Sequence, residues 1–187
     1  MFKRVIFTLV LLAPISVWAF YKPIRVVAPE LNGIVCLSNY VCVEDSAQSD
    51  VATLLYREAL NYVEDSISKP VKKPKIVFCS TNECDKSFGL GKRAAYTLGI
   101  FGIIVSKRGW KPYYIRHEII HHLQFETLGT IKAWLFTPEW FMEGMPYYLS
   151  KDPRSPLSEP FETAREDFKN WYHNQKKENI WISASNL

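Results

Sequence analysis

The sequence predicts an α+β fold. Two patterns carry that reading. Short runs rich in Val, Ile and Phe recur between Gly33 and Ser106, bounded by Gly, Pro, Asn and Ser. Segments with apolar residues three and four apart interrupt those runs and then take over the rest of the chain. A hydrophobic content of 48% with 14% aromatics supplies a core, which excludes a disordered chain.

The first element is a targeting segment. Lys3 and Arg4 precede an apolar run from Val5 to Ala19, interrupted by Pro14. Val17 and Ala19 suit a signal peptidase, so residues 1–19 read as a signal peptide and 20–187 as a single domain. The run is short for a membrane span. An uncleaved tether at residues 5–20 is the alternative, and it is the one route to membrane contact. No Cys stands at the cleavage point, so no lipoprotein is expected. The expected location is periplasmic or extracellular.

Phe20 to Asn32 reads as an extended lead-in, because Pro23 and Pro29 block helix. Gly33 to Val43 reads as a strand or short hairpin. Val51, Leu54, Leu55, Ala59, Tyr62 and Val63 give a helix ending near residues 66–68. The basic, Pro-broken stretch from Lys69 to Lys75 is a solvated connector. Ile76 to Ser80 is a buried strand, and Thr81 to Lys92 is a loop with a short helix. Arg93 to Leu98 and Gly99 to Ser106 are further strands. Pro112 suits the first position of a helix that should stop at Gly129. Thr130 to Phe136 is an apolar connection. Thr137 caps, and Pro138 starts, a helix that Pro146 should kink or shorten. Phe161 to Lys177 is the last helix.

Cys36, Cys42, Cys79 and Cys84 are an even set in an exported chain, which points to disulfides. Three pairings are open. A second zinc site is the rival reading, and the lack of any C-x-x-C counts against it. The net charge of +4, from 23 basic and 19 acidic residues, is too small for a nucleic-acid binder, and no basic stripe interleaves with aromatics.

The chemistry is concentrated in His117-Glu118-Ile119-Ile120-His121. Two His four apart share one helical face, so both imidazoles reach one metal ion. Glu118 can lean over the same site and take a proton from a metal-bound water. Glu143, in Trp140-Phe141-Met142-Glu143-Gly144, offers a third ligand. Two His and one Glu around a single zinc ion, with one position left for water, make a hydrolytic site. Of the four His in the chain, three stand at this spot. His122 points about 100° from His121 and is a packing or hydrogen-bonding residue.

Those two motifs resemble the gluzincin class of zinc metallopeptidases, over the stretch from about Pro112 to Leu149. The resemblance implies a minimal zincin-like fold: a small mixed sheet packed on the active-site helix, followed by a helical C-terminal part. It implies that His117, His121 and Glu143 ligate zinc and that Glu118 is the general base. It makes Gly99–Ser106 the sheet edge along which a peptide or protein substrate lies. An oxyanion partner is expected among Tyr147, Tyr148, Tyr172 and His173, of which Tyr172 and His173 sit on a helix that could close over the cleft.

The sequence departs from the family after Glu143-Gly144, where Met145-Pro146-Tyr147 replaces the usual small and acidic residues. Glu139, Glu126 or Asp152 would then orient a ligand His. Too little chain follows Glu143 for a full thermolysin-like C-terminal domain, so a small far wall or a partner is expected. Trp134-Leu135-Phe136 and Trp140-Phe141 read as core packing under the site, with a membrane-facing or substrate-gripping patch as the alternative. The expected activity is zinc-dependent peptide hydrolysis. Alternatives are an amidohydrolase acting on a non-peptide amide, and a zinc-containing binding or assembly protein without catalysis. Oligomeric state is not legible.

Overall fold

The computed structural model of the protein describes residues 16–175 and 180–187. The expected signal segment falls mostly in residues 1–15, outside the described residues. Among those described, no helix is long and apolar enough to cross a membrane.

The architecture is α+β around a five-stranded mixed sheet of order β1-β2-β3-β5-β4. β1 (Val35–Cys36) and β2 (Val41–Val43) form an antiparallel hairpin. Its turn is closed by Ser38, whose hydroxyl accepts the Tyr40 and Val41 amides at 3.2 and 3.1 Å. Cys36 faces Cys42 in register, and the two are joined by a disulfide. Helix α1 (Ser49–Ser66) crosses over to β3 (Ile76–Phe78), which pairs parallel with β2. Thr81 then caps the short helix α2 (Asn82–Ser87), accepting the Cys84 amide at 3.2 Å. A second disulfide, Cys79–Cys84, ties α2 to the end of β3.

β4 (Ala95–Leu98) and β5 (Gly102–Val105) are an antiparallel pair, and β5 inserts parallel to β3. The edge beside the helix that carries His117 and His121 is therefore β4, which corrects the expectation that Gly99–Ser106 is the edge. The reason is apolarity. Ile103, Ile104 and Val105 are buried on both faces, which an interior strand satisfies and an edge does not. Gly99 to Phe101 form the turn instead.

Alternation along the strands divides the core. Val41, Val43, Ile76, Phe78, Ile103 and Val105 face α1 and the later helices. Cys42, Val77 and Ile104 face the other way, onto Val26, Ile34, Phe88 and Leu90. Helix α3 (Pro112–Leu128) lies on the first face, held by Ile115, Ile119, Ile120 and Leu123. It starts with Pro112 and stops before Gly129, whose φ of 84° suits a residue without a Cβ.

Thr130 to Leu135 is a short helix, α4, where an irregular connection is expected. Helix α5 (Glu139–Leu149) starts one residue after Pro138. Thr137 does not cap it, because its hydroxyl donates to the Lys132 carbonyl at 3.2 Å. α5 runs through Pro146 to Leu149 rather than stopping there. Helix α6 (Phe161–His173) crosses α5 so closely that a Cβ on Gly144 would lie 2.0 Å from the Ala164 carbonyl oxygen. The five-residue α7 (Ile180–Ala184) completes the described chain.

Candidate metal centre

α3 buries its isoleucine face under the sheet and turns His117, Glu118 and His121 toward a cleft of about 940 Å³. β4 forms one wall of that cleft, and α5 and the segment around Arg154 form the other. The close α5–α6 crossing at Gly144 fixes α5, and with it Glu143, opposite the two imidazoles.

His117, His121 and Glu143 each present one ligand atom, all within 4.8 Å of one another. His117 Nε2 lies 4.0 Å from Glu143 Oε2, and His121 Nε2 lies 3.8 Å from Glu143 Oε1. Donors bound at 2.0–2.1 Å in a tetrahedral site stand about 3.4 Å apart, so this trio needs only small adjustment to hold a metal ion. The donor chemistry of two imidazoles and one carboxylate fits zinc.

The imidazoles are prepared for that role. Gln124 gives its amide nitrogen to the Phe141 carbonyl at 3.1 Å, so its oxygen faces His121 Nδ1 at 2.9 Å. That oxygen can only accept, which puts the proton on Nδ1 and leaves the Nε2 lone pair free. Burial, then His121 and Arg154, holds the pKa of His117 well below the ordinary histidine range. The neutral ring is the form that ligates. The Tyr147 ring meets His117 edge to face at 4.5 Å between centroids.

Glu118 is buried beside the trio. The Thr97 hydroxyl of β4 reaches Glu118 Oε2 at 2.7 Å and the Glu118 carbonyl at 2.9 Å. Burial raises the Glu118 pKa, while His121 and the Thr97 hydrogen bond pull it back. Burial outweighs them, and the Glu118 pKa stays above the ordinary carboxylate value.

The other candidates lie elsewhere. Tyr172 and His173 do not line the cleft. Tyr172 stacks on Phe168 at 5.5 Å, and His173 Nε2 meets the Tyr148 hydroxyl at 3.2 Å. Aromatic packing of α6 on α5 claims both side chains. Tyr147 is the member of the expected group that faces the centre, with Arg154 over its ring at 5.7 Å. Burial, then Glu143, pushes the Tyr147 hydroxyl up to about 12, so it is a hydrogen-bond donor. His122 Nε2 bonds the Lys72 carbonyl at 3.0 Å, in keeping with a hydrogen-bonding residue.

Among the described residues, none of the expected acidic groups orients a ligand His. Glu126 accepts the Val71 and Lys72 amides, and Asp152 pairs with Arg154. Glu139 lines the cleft, but the bond to His121 comes from Gln124. Trp134, Leu135 and Phe136 are not core: Trp134 is 77% and Phe136 68% exposed, and Trp134 sits at the cleft. Trp140 and Phe141 do pack inward, against Trp171 and Phe168. Sequence reasoning missed Thr97, Gln124 and Arg154. Gln124, three residues after His121 on the same helix, was within reach of it.

Comparison with protein-family models, with curated proteins and with solved structures finds no match to this chain.

Proposed function

We propose that this chain is an exported zinc metallopeptidase of gluzincin type. The observation that supports the reading is the convergence of His117, His121 and Glu143 within 4.8 Å, next to a buried Glu118 and at the floor of an open cleft. Three protein donors are the number found in catalytic zinc sites, whereas structural sites use four. A structural site also needs no base. When bound, zinc polarises the scissile carbonyl and lowers the pKa of water to about 7.

The chain's own residues do the rest. Glu118 takes a proton from the attacking water and passes it to the leaving amine. Thr97 holds that carboxylate in place, and Gln124 fixes His121. An extended substrate pairs with β4, whose outer side has no strand neighbour among the described residues. Tyr147 donates a hydrogen bond to the carbonyl oxygen as negative charge develops there.

A peptide-library digest with wild type and Glu118→Gln tests the reading. Wild type should cleave, and the variant should retain zinc and lose cleavage by at least about a hundredfold, the low end for a general base. Cleavage surviving in the variant contradicts the mechanism. Turnover of simple amides without any peptide cleavage would move the chain to the amidohydrolases.

A further inference from the structure

The cleft has a cationic end and an apolar end. β4 and α3 run along it in the same direction. Thr97 meets Glu118, and beyond both elements a Cβ on Gly99 would touch Thr130 at 3.5 Å. The starts of the two elements therefore share one end of the cleft.

At that end stand Lys92 and Arg93, just before β4. Arg108 joins them from the turn that follows β5, where the Ser106 amide donates to the Ala94 carbonyl at 2.9 Å. Arg154 lies over the Tyr114 ring in the first turn of α3, 4.8 Å from its centroid. Among the described residues, no ion pair engages Lys92, Arg93 or Arg108, while Arg154 pairs with Asp152. Asp85 on α2 acts on Arg108 but does not line the cleft.

At the opposite end Phe125, Ala133, Trp134 and Met142 form an apolar wall. The acidic groups lining the cleft are Glu118 and Glu143, committed to the centre, and Glu139 on the first turn of α5.

Resting on the peptidase reading, we propose that the substrate is a peptide carrying a carboxylate just after the cleaved bond and a bulky apolar residue just before it. The order follows from strand direction. A peptide that pairs antiparallel with β4, as β5 does on its other side, enters over Trp134 and leaves past Arg93 and Arg108. An acidic side chain and a terminal carboxylate share that chemistry. The unpaired cations attract either one, and the apolar wall takes the preceding side chain.

The test is kcat/KM for peptides with one apolar residue before the bond and Glu, Gln or Lys after it, each as free acid and as C-terminal amide. Glu should exceed Lys by roughly tenfold at about 0.05 M salt, as two or three exposed charge contacts allow. The gap should narrow to under about threefold at about 0.5 M salt. Combined Arg93→Glu and Arg108→Glu should reverse the order, with the melting temperature showing that the fold is intact. A gain from the free acid alone assigns the cations to a chain terminus; a gain kept in the amides assigns them to an acidic side chain. Lys peptides cleaved as well as Glu peptides with no gain from the free acid either, or a preference unchanged by the double reversal, overturns the inference. Should no peptide be cleaved, anisotropy of labelled Glu and Lys peptides on Glu118→Gln decides it separately. Tighter binding of the Glu peptide upholds the cationic end while the peptidase reading falls. Equal binding overturns it.

Discussion

Gln124 holds His121 from three residues along the same helix and is itself held by the Phe141 carbonyl, just before the segment that carries Glu143. One amide thus links the two ligand-bearing helices. Gln124→Leu should lower zinc affinity about 10–100-fold, measured by chelator competition, with the circular dichroism unchanged. An unaltered affinity would mean that the ring is fixed by packing alone. Asp85 gives a prediction of a different kind. Burial, then Glu44, raises its pKa, and its Oδ1 is buried without a partner. The folded state thus holds this proton more tightly than the unfolded chain. The stability it contributes is fully present below the unfolded value of about 3.9 and is lost as pH rises through the folded value. Asp85→Asn, which cannot ionise, should therefore melt slightly higher than wild type at pH 7 and equally at pH 3. Melting curves at the two pH values decide it. His117 and His121 were legible because helical spacing puts them on one face, while Glu118 and Glu143 were legible from the two motifs that carry them, Glu143 standing on a separate helix. Arg154 was not legible, since its place depends on the path of a loop after α5. Tyr172 and His173 have the right chemistry, but both rings meet Tyr148 in the aromatic contacts between α5 and α6.

At the scale of elements, the Glu-Gly pair has a packing reason. Gly144 lets the backbone of α6 approach α5, and any Cβ there collides with the Ala164 carbonyl. Gly144→Ala should cost about 3 kcal/mol or more, at the upper end of overpacking effects, and should lower zinc occupancy by displacing Glu143. Differential scanning calorimetry and metal analysis read the two effects. An unchanged melting temperature would mean that the helices can separate freely. Most helices and strands were legible: α1 from its periodicity, α3 from Pro112 at its start and Gly129 at its end, and β3 from its continuous apolar run. Strand order was not. Both Arg93–Leu98 and Gly99–Ser106 read as strands, and only the continuous apolar character of Ile103 to Val105 marks the second as interior. α4 was missed although Ile131, Trp134 and Leu135 stand at i, i+3 and i+4, because a six-residue helix gives no repeat to read and that stripe is exposed rather than buried.

At the scale of the molecule, the sheet, both disulfides and the helical half combine to hold one cleft. Cys36–Cys42 locks the far edge hairpin and Cys79–Cys84 locks the end of a central strand. Both fit a chain that folds in an oxidising compartment, as its N-terminal sequence suggests. β4 and α3 bring Thr97 to Glu118, α5 brings Glu143 to the histidines, and α6 holds α5 in place. Among the described residues, the segment around Arg154 and Leu157 forms the far wall of the cleft. The central claim is that one zinc ion on His117, His121 and Glu143 makes this cleft hydrolytic. Its most direct test is metal reconstitution: strip the protein with a chelator, add zinc stepwise, and record bound zinc and peptide cleavage together. Cleavage should return in proportion and saturate at one zinc per chain in wild type. Glu118→Gln should bind the same single zinc without regaining cleavage, and Glu143→Ala should bind it far more weakly. Cleavage that persists in the stripped protein, or that returns equally in Glu118→Gln, would contradict the account.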